Sequence, residues 1–206
     1  MEEERKGEPR PTLRYAVRHP EHKENVLTLV GVAQAVHAAE QIRADIKKIR
    51  RRDIDEKDNV VIVHSEEPRT VMAAAIIAGV LGVKMRHGPQ KGLNPASGLN
   101  DAIKAGRIPE SGERGGMIKT WKTEWEGFRA TRNLKNVEDL EEVNNRAYTV
   151  LSWRQSPHPD IIIAVSHGGV IEPAISGLMG ADDRDVAMGQ VVSIDAGWTV
   201  NYLPPL

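Results

Sequence analysis

Two short runs of mostly β-branched residues, NVVIV at 59–63 and DIIIAV at 160–165, constrain the fold of this chain more than any other feature. Runs of this length are typical of buried strands and too short for most helices. In the segments 70–81 and 170–179 that follow them, apolar residues recur every three or four positions, which predicts a helix after each strand. This alternation favours an α/β fold with a largely parallel sheet covered on both faces.

The rest of the chain extends the same pattern. An apolar run predicts a strand at 13–17, and helical spacing predicts helices over about 29–51 and 137–151. Strands are expected at 190–194 and 198–203, joined by a turn, and 83–85 is a candidate for one more strand. The predicted architecture is a three-layer α/β/α sandwich with a mostly parallel central sheet.

Composition narrows the class of protein. The 206 residues carry a formal net charge of −1, so no overall charge attracts the chain to nucleic acid. The absence of cysteine excludes disulfides, thiol nucleophiles and zinc–thiolate sites. No apolar run is long enough to span a bilayer, so no membrane partner is expected. Residues 1–10 are charged and contain proline, which predicts a disordered leader before a single domain over 11–206. They include no apolar segment typical of a secretory signal, so a cytoplasmic location is expected.

Helical and strand periodicity is lost between about 86 and 136, where glycine and proline interrupt the chain repeatedly. Lysine and arginine outnumber acidic residues in this insertion. Long irregular segments inside compact domains are usually functional or disordered. Two interpretations therefore stay open: a solvated insertion, or a cationic lid over an anionic substrate.

Polar side chains follow three of the predicted strands. Ligands of open α/β sheets bind beyond the carboxyl ends of the strands, and helix N-termini there bind anions. The sequence therefore predicts an anion pocket that contains two imidazoles. Its candidate residues are Arg18, His19, Asn25, Arg69, His167 and Gly168.

Four segments, taken in order, resemble a known set of motifs. VRHPEHKEN resembles RHGETxxN, and LTLVGVAQA resembles LTxxGxxQA. HSEEPRTVMAAAIIAGVLGV resembles SSPLxRTxQTAxxIAxxLG, and IIIAVSHGGVIEPAISGLMG resembles VSHGGVIRxLLxxLLG. These motifs belong to the histidine phosphatase superfamily, the phosphoglycerate mutase-like proteins. The resemblance implies a phosphoglycerate mutase-like fold.

The resemblance also implies an activity, the hydrolysis of a phosphate monoester without a metal ion. His19 would attack phosphorus as the nucleophile and form a phosphoenzyme that water then hydrolyses. Arg18 and Arg69 would bind the phosphoryl oxygens, for which the geometry of guanidinium is well suited.

The remaining candidate residues have implied roles around the same group. His167 would donate a hydrogen bond to the phosphoryl oxygens, and Asn25 and the N–H groups around Gly168 would complete their binding. The implied partner is a small phosphorylated anionic substrate. No cofactor is implied, and the oligomeric state is left open.

The chain departs from the family motifs at several positions. The glycine after the nucleophile is Pro20, the threonine is His22, and the arginine after HGGVI is Glu172. The acidic residue of the family has no clear counterpart; Glu110 or Glu113 could replace it, or it is absent. Without an acid, protonation of an alkoxide leaving group is compromised.

These departures keep two alternatives to a phosphatase open. One is phosphotransfer of the phosphoglycerate mutase type, and the other is a protein that binds a phosphorylated ligand with lost or weak catalysis. His22 and His19 could suggest a metal pair, but no third ligand is evident, so no metal site is predicted. The basic run at 47–52 ends a predicted helix, where cations stabilise the helix dipole.

Overall fold

The computed structural model of the chain describes residues 12–85, 87–96, 138, 140–152, 158–179 and 186–206. The strands are β1 (Leu13–Arg18), β2 (His22–Lys23), β3 (Val26–Leu27), β4 (Val60–His64), β5 (Ile161–Ser166), β6 (Val191–Ile194) and β7 (Val200–Tyr202). The helices are α1 (Leu29–Arg50), α2 (Pro68–Leu81), α3 (Leu140–Leu151) and α4 (Gly168–Met179), and a 3₁₀ turn spans Lys91–Leu93. Most of these elements lie within a few residues of their predicted positions.

Five strands form one sheet in the order β4–β5–β1–β6–β7. β4 and β1 both pair with β5 in parallel, and Val60 and Leu13 each lie opposite Ile161. β6 is antiparallel to β1 and β7 is antiparallel to β6, so β6 is the strand of this sheet that runs against the others. The prediction of a mostly parallel central sheet is confirmed.

The two faces of the sheet carry separate apolar cores, because successive side chains of a strand point to opposite faces. One core packs the sheet against α1 and α2; among its members are Tyr15, Val17, Ala39, Ile42, Ile46, Ile62, Ala74, Ile77 and Ile163. The other packs the sheet against α3 and α4; among its members are Ala16, Val61, Val63, Val150, Leu151, Ile162, Ala164, Ile171 and Ile175. The three-layer α/β/α arrangement is confirmed by these two cores.

The small hairpin formed by β2 and β3 is not among the elements predicted from the sequence. Its turn residues, Glu24 and Asn25, have φ of 51° and 67°, as type I′ turns require. The hairpin lies close against α1, since a Cβ on Gly31 would stand 1.9 Å from the carbonyl oxygen of Glu21. Thr28 caps α1 by accepting a hydrogen bond of 3.0 Å from the Gly31 N–H. Glycine at position 31 therefore permits the contact between hairpin and helix.

The further strand suggested at 83–85 is wrong, since these residues form no strand. Gly82 ends α2 in the left-handed conformation, and the N–H of Val83 turns back to bond the carbonyl oxygen of Ala78 at 3.0 Å. The backbone at this point closes the helix instead of pairing with a strand. The predicted leader, and the predicted insertion apart from 87–96, lie outside the described residues. In the described part of the chain, no helix is long and apolar enough to cross a membrane.

A cluster of charges ties α1 to the sheet at the amino ends of β4 and β5. Asp58 accepts hydrogen bonds of 2.6 Å from Arg50 and of 2.6 and 2.7 Å from Arg52. Arg50 also donates to the carbonyl oxygen of Asp160 at 2.7 Å. Burial by itself raises the pKa of Asp58, but the bonds from Arg52 and from the Asp55 N–H outweigh it and lower the pKa. The cluster therefore stabilises the fold at the end of the sheet opposite the strand termini predicted to bind ligand.

We expect Asp58→Ala to lower the free energy of unfolding by about 2–4 kcal/mol, because it leaves two partly buried guanidinium groups without their shared carboxylate. Asp53→Ala is the matched control: Asp53 is 57 % exposed and contacts Lys47 at 3.4 Å, so a change within about 0.5 kcal/mol is expected. Urea unfolding measures both. Equal losses in the two variants would contradict a structural role for the cluster.

Candidate active site

The carboxyl ends of β1, β4 and β5 bring the two predicted imidazoles together. Arg18 pairs with Ser166 in the β1–β5 register, so His19 and His167 follow at the same edge of the sheet. Their ring centroids are 5.0 Å apart, and both side chains are buried. Two residues separated by most of the chain therefore share one pocket because their strands are adjacent and parallel.

The His19 ring is held in one orientation by its own backbone surroundings. The His19 N–H donates to the carbonyl oxygen of Ser166 at 2.7 Å, and Nδ1 lies 3.0 Å from the carbonyl oxygen of Pro20. A carbonyl accepts, so Nδ1 carries the proton and Nε2 keeps a free lone pair. Burial, with smaller contributions from the charges of Arg69 and Arg18, lowers the pKa of His19 to about 3, although the bond to Pro20 raises it. The imidazole is therefore neutral near pH 7 and suited to act as a nucleophile.

Arg69 reaches the pocket from the first turn of α2, which begins at Pro68. Its Nη2 donates to Nδ1 of His167 at 3.2 Å, and its Nη1 donates to Oδ1 of Asn25 at the tip of the β2–β3 hairpin. Glu67 lies 3.5 Å from the same Nη1. Burial lowers the pKa of Arg69. The hairpin, a feature absent from the predicted elements, thus places Asn25 where it orients a pocket arginine.

Arg18 is held by α4 and by the segment that precedes β6. Its Nη1 donates to the carbonyl oxygen of Val186 at 2.6 Å and lies 3.4 Å from Oε1 of Glu172. The Glu172 carboxylate is 2 % exposed and also accepts from the Val186 N–H at 2.8 Å. The guanidinium packs so closely on Gly168 that an added Cβ would stand 3.0 Å from Cζ. Glycine at the start of α4 therefore lets Arg18 lie against the helix N-terminus.

Other residues without a predicted role also contact the pocket residues, among them His22, Glu172 and Ser65. The ring of His22 meets the ring of His19 edge-on, with centroids 4.7 Å apart. Glu172 pairs with Arg18, and Ser65 lies 2.8 Å from Nε2 of His167. His22 and Glu172 stand where the chain departs from the family motifs, and these departures could have indicated from the sequence that both residues contact the pocket. Ser65 had a weaker signal, its place directly after a buried strand.

Two guanidinium groups, two buried imidazoles and the N-terminus of α4 converge at this edge of the sheet. Burial lowers the pKa of His167 well below its usual value, with smaller contributions from His19 and Arg69. The positive charge of the pocket therefore comes from its arginines, which favour an anion. Among the described residues, no group of three His, Cys, Asp or Glu side chains is arranged to hold a metal ion. The candidate acids Glu110 and Glu113 lie outside the described residues.

The low pKa of the two imidazoles should make stability depend on pH. The native state keeps His19 and His167 neutral, whereas the unfolded chain protonates them below about pH 6.5. Stability should therefore fall as the pH drops from about 6.5 to 4.5, by about 1.4 kcal/mol per pH unit for each histidine. Chemical unfolding measures the free energy of unfolding across this range, and its slope against pH should be shallower for His19→Gln and His167→Gln than for the wild type. Identical slopes would show that neither imidazole is kept neutral by folding.

The Glu172 carboxylate should weaken anion binding by compensating the charge of Arg18. Glu172→Gln keeps an oxygen for the Val186 N–H and removes the charge. We expect orthophosphate to bind the variant about three- to tenfold more tightly, as measured by calorimetry at low salt. Glu56→Gln makes the same charge change at an exposed position near the opposite end of the sheet and should have little effect. Weaker binding by Glu172→Gln would instead indicate that the carboxylate mainly orients Arg18.

Solved structures of similar fold include phosphatases and mutases. A phosphoglycerate mutase from Bacillus anthracis has a TM-score of 0.62 at 15 % identity, with 94 % of this chain and 93 % of that chain covered. A mycobacterial glucosyl-3-phosphoglycerate phosphatase has a TM-score of 0.54 at 15 % identity, covering 93 % and 96 %. The phosphoglycerate mutase from Plasmodium falciparum has a TM-score of 0.50 at 14 % identity, covering 95 % and 91 %. At these identities the likeness establishes the fold.

The sequence decides the family. No curated protein matches the chain at a significant level. The profile of the histidine phosphatase superfamily (branch 1), however, matches residues 14–195. That match includes the four helices and the pocket residues described above, and the chain therefore belongs to branch 1 of the histidine phosphatase superfamily.

Proposed function

We propose that this chain is a phosphatase that hydrolyses a phosphate monoester through a phosphohistidine on His19. The observation that carries the proposal is the fixed tautomer of His19, whose Nδ1 bonds to Pro20 at 3.0 Å while Nε2 keeps its lone pair. A pKa of about 3 keeps this ring unprotonated at neutral pH. A buried imidazole held neutral beside two arginines is a competent nucleophile toward phosphorus.

The reaction then has two steps. Nε2 of His19 attacks phosphorus, so an N–P bond forms and the ester P–O bond breaks, and the leaving alkoxide takes a proton from an acid. Water next attacks phosphorus and gives a proton to the conjugate base of that acid, the N–P bond breaks with its electron pair returning to Nε2, and orthophosphate leaves. Arg18 and Arg69 bind the phosphoryl oxygens in both steps, and positioning with electrostatic stabilisation supplies most of the catalysis.

Pro20 fits this mechanism, although it replaces the glycine of the family motif. The ring of His19 bonds to the carbonyl oxygen of this residue, and proline has that oxygen as glycine does. The proline side chain is buried. The proposed substrate is a small phosphorylated anion, and no cofactor is needed. The arginine charges are proposed to take the part that a metal ion has in other phosphoryl-transfer enzymes.

A second candidate function is binding of a phosphorylated ligand with weak catalysis. The close contact of the buried Glu172 carboxylate with Arg18 favours it, because part of the positive charge for the transition state is compensated. Mutase-type transfer is a third candidate, in line with the mutases among the structures of similar fold. A broad panel of phosphate monoesters separates these candidates: turnover supports a phosphatase, and thermal stabilisation by ligands without turnover supports a binding protein.

The nucleophile is tested by trapping the phosphoenzyme. We expect rapid quenching with a ³²P-labelled monoester to leave label that is acid-labile and base-stable, on the peptide that contains His19. His19→Ala should lose at least about 10³-fold in kcat, because the covalent step has no substitute. The control is His158→Gln, since His158 bonds to Thr12 at the opposite end of the sheet.

Three outcomes would contradict the mechanism. One is full activity in His19→Ala, and another is label on a different residue. The third is loss of activity when a chelator is added that does not denature the protein, since this loss would indicate a required metal ion. Transfer of the label to a second phosphorylated acid faster than to water would favour the mutase.

A further inference from the structure

Both ring nitrogens of His167 have hydrogen-bond partners. Nη2 of Arg69 lies 3.2 Å from Nδ1, and Oγ of Ser65 lies 2.8 Å from Nε2. A guanidinium can donate and never accept, so Nδ1 must be the acceptor in its bond and cannot carry a proton. An imidazole without a proton on Nδ1 is neutral and carries its proton on Nε2. The Nε2 proton must then be donated to Ser65.

The surroundings of Ser65 agree with this direction. The Glu67 N–H donates to Oγ of Ser65 at 3.3 Å, and Oγ lies 2.7 Å from Oγ1 of Thr70. Oγ1 of Thr70 in turn has the carbonyl oxygen of Glu67 at 2.7 Å. If His167 donates to Ser65, then Ser65 donates to Thr70 and Thr70 donates to Glu67. Every donor in the chain then meets an acceptor.

The reverse direction fails on chemistry. If Thr70 donated to Ser65 and Ser65 donated to His167, both ring nitrogens of His167 would be acceptors. The ring would then be an imidazolate, which does not form near neutral pH. The tautomer of His167, which directly follows β5, is therefore set jointly by Arg69 at Nδ1 and by the chain of Ser65, Thr70 and the Glu67 carbonyl at Nε2. All three side chains of this relay are buried.

We propose that Ser65 is a positioning residue, supported by Thr70, that holds His167 as the neutral tautomer with its proton on Nε2. This tautomer leaves the Nδ1 lone pair facing Arg69. Arg69 is thereby held between His167 and Asn25, in the orientation in which it can receive a phosphoryl group. The inference rests on the proposed function for its effect on catalysis, and on hydrogen-bond chemistry for the tautomer itself.

The relay changes the role that the family motif implies for His167. That motif implies a hydrogen bond from His167 to the phosphoryl oxygens, yet the proton of this ring is directed to Ser65 and its lone pair to Arg69. The ring therefore acts on the substrate through Arg69. Ser65 in turn acts on His167, and neither Ser65 nor Thr70 needs to touch the phosphoryl group.

The tautomer is measured by NMR on the full chain with ¹⁵N-labelled histidine. Long-range ¹H–¹⁵N correlations distinguish the Nε2–H tautomer, the Nδ1–H tautomer and imidazolium, and His167→Gln assigns the signals of His167. At about pH 7 we expect the Nε2–H tautomer of His167 in the wild type. Observation of imidazolium or of the Nδ1–H tautomer would overturn the proposal, and this result is independent of any enzymatic activity.

Variants test the positioning role. Ser65→Ala should give a mixture of tautomers and a kcat lower by about 10- to 100-fold, the range for a misplaced pocket group, with KM changed less than about threefold. Thr70→Val should show a smaller loss of the same kind, and Thr70→Ser, which keeps the hydroxyl, should restore both spectrum and kcat. Ser193→Ala removes another buried serine hydroxyl, on β6, and serves as the control.

The outcomes separate this inference from the proposed function. A single Nε2–H tautomer that persists in both Ser65→Ala and Thr70→Val would overturn the positioning role. Unchanged kcat in a Ser65→Ala protein with mixed tautomers would also overturn it. If Ser65→Ala does not fold, the wild-type spectrum and the Thr70→Val and Thr70→Ser pair still decide. A wild type that shows the expected tautomer and turns over no monoester would contradict the phosphatase and leave the relay intact.

Discussion

The parallel pairing of β4, β5 and β1 is the constraint on which the rest of the structure depends. Because β5 pairs with both neighbours in the same direction, all three strands end at one edge of the sheet. The residues that follow them, Ser65, His167 and His19, therefore meet although they are far apart along the chain. The two apolar cores hold the sheet in this arrangement from both faces.

Carboxylates compensate part of the positive charge in the pocket. Burial lowers the pKa of both imidazoles, so the pocket's positive charge belongs to its arginines. Each of these arginines has a carboxylate within about 3.5 Å, since Glu172 pairs with Arg18 and Glu67 with Arg69. The buried pair is the stronger interaction, because the Glu67 carboxylate is 26 % exposed and more screened by water. An anion that enters the pocket therefore competes with carboxylates already in place.

Much of the fold could be predicted because its signals are local. Runs such as 59–63 and 160–165 specify strands by composition, and helical spacing specifies α1, α2 and α4. The β2–β3 hairpin could not be predicted, since its strands have two residues each and its turn uses Glu24 and Asn25 at positive φ. The strand suggested at 83–85 is absent because Gly82 and the N–H of Val83 close α2 at this point.

The sequence by itself determined the fold class, the family and the identity of the residues at the strand ends, because motif order and periodicity are properties of the chain. Tertiary structure decided which atoms of those residues face each other. The bond from the His19 N–H to the Ser166 carbonyl oxygen and the pairing of Arg18 with Glu172 depend on distances of a few ångströms between separate elements. The same is true of the relay from Arg69 through His167 to Ser65. Hydrogen-bond direction is set by such contacts, and no pattern of residue types along the chain encodes it.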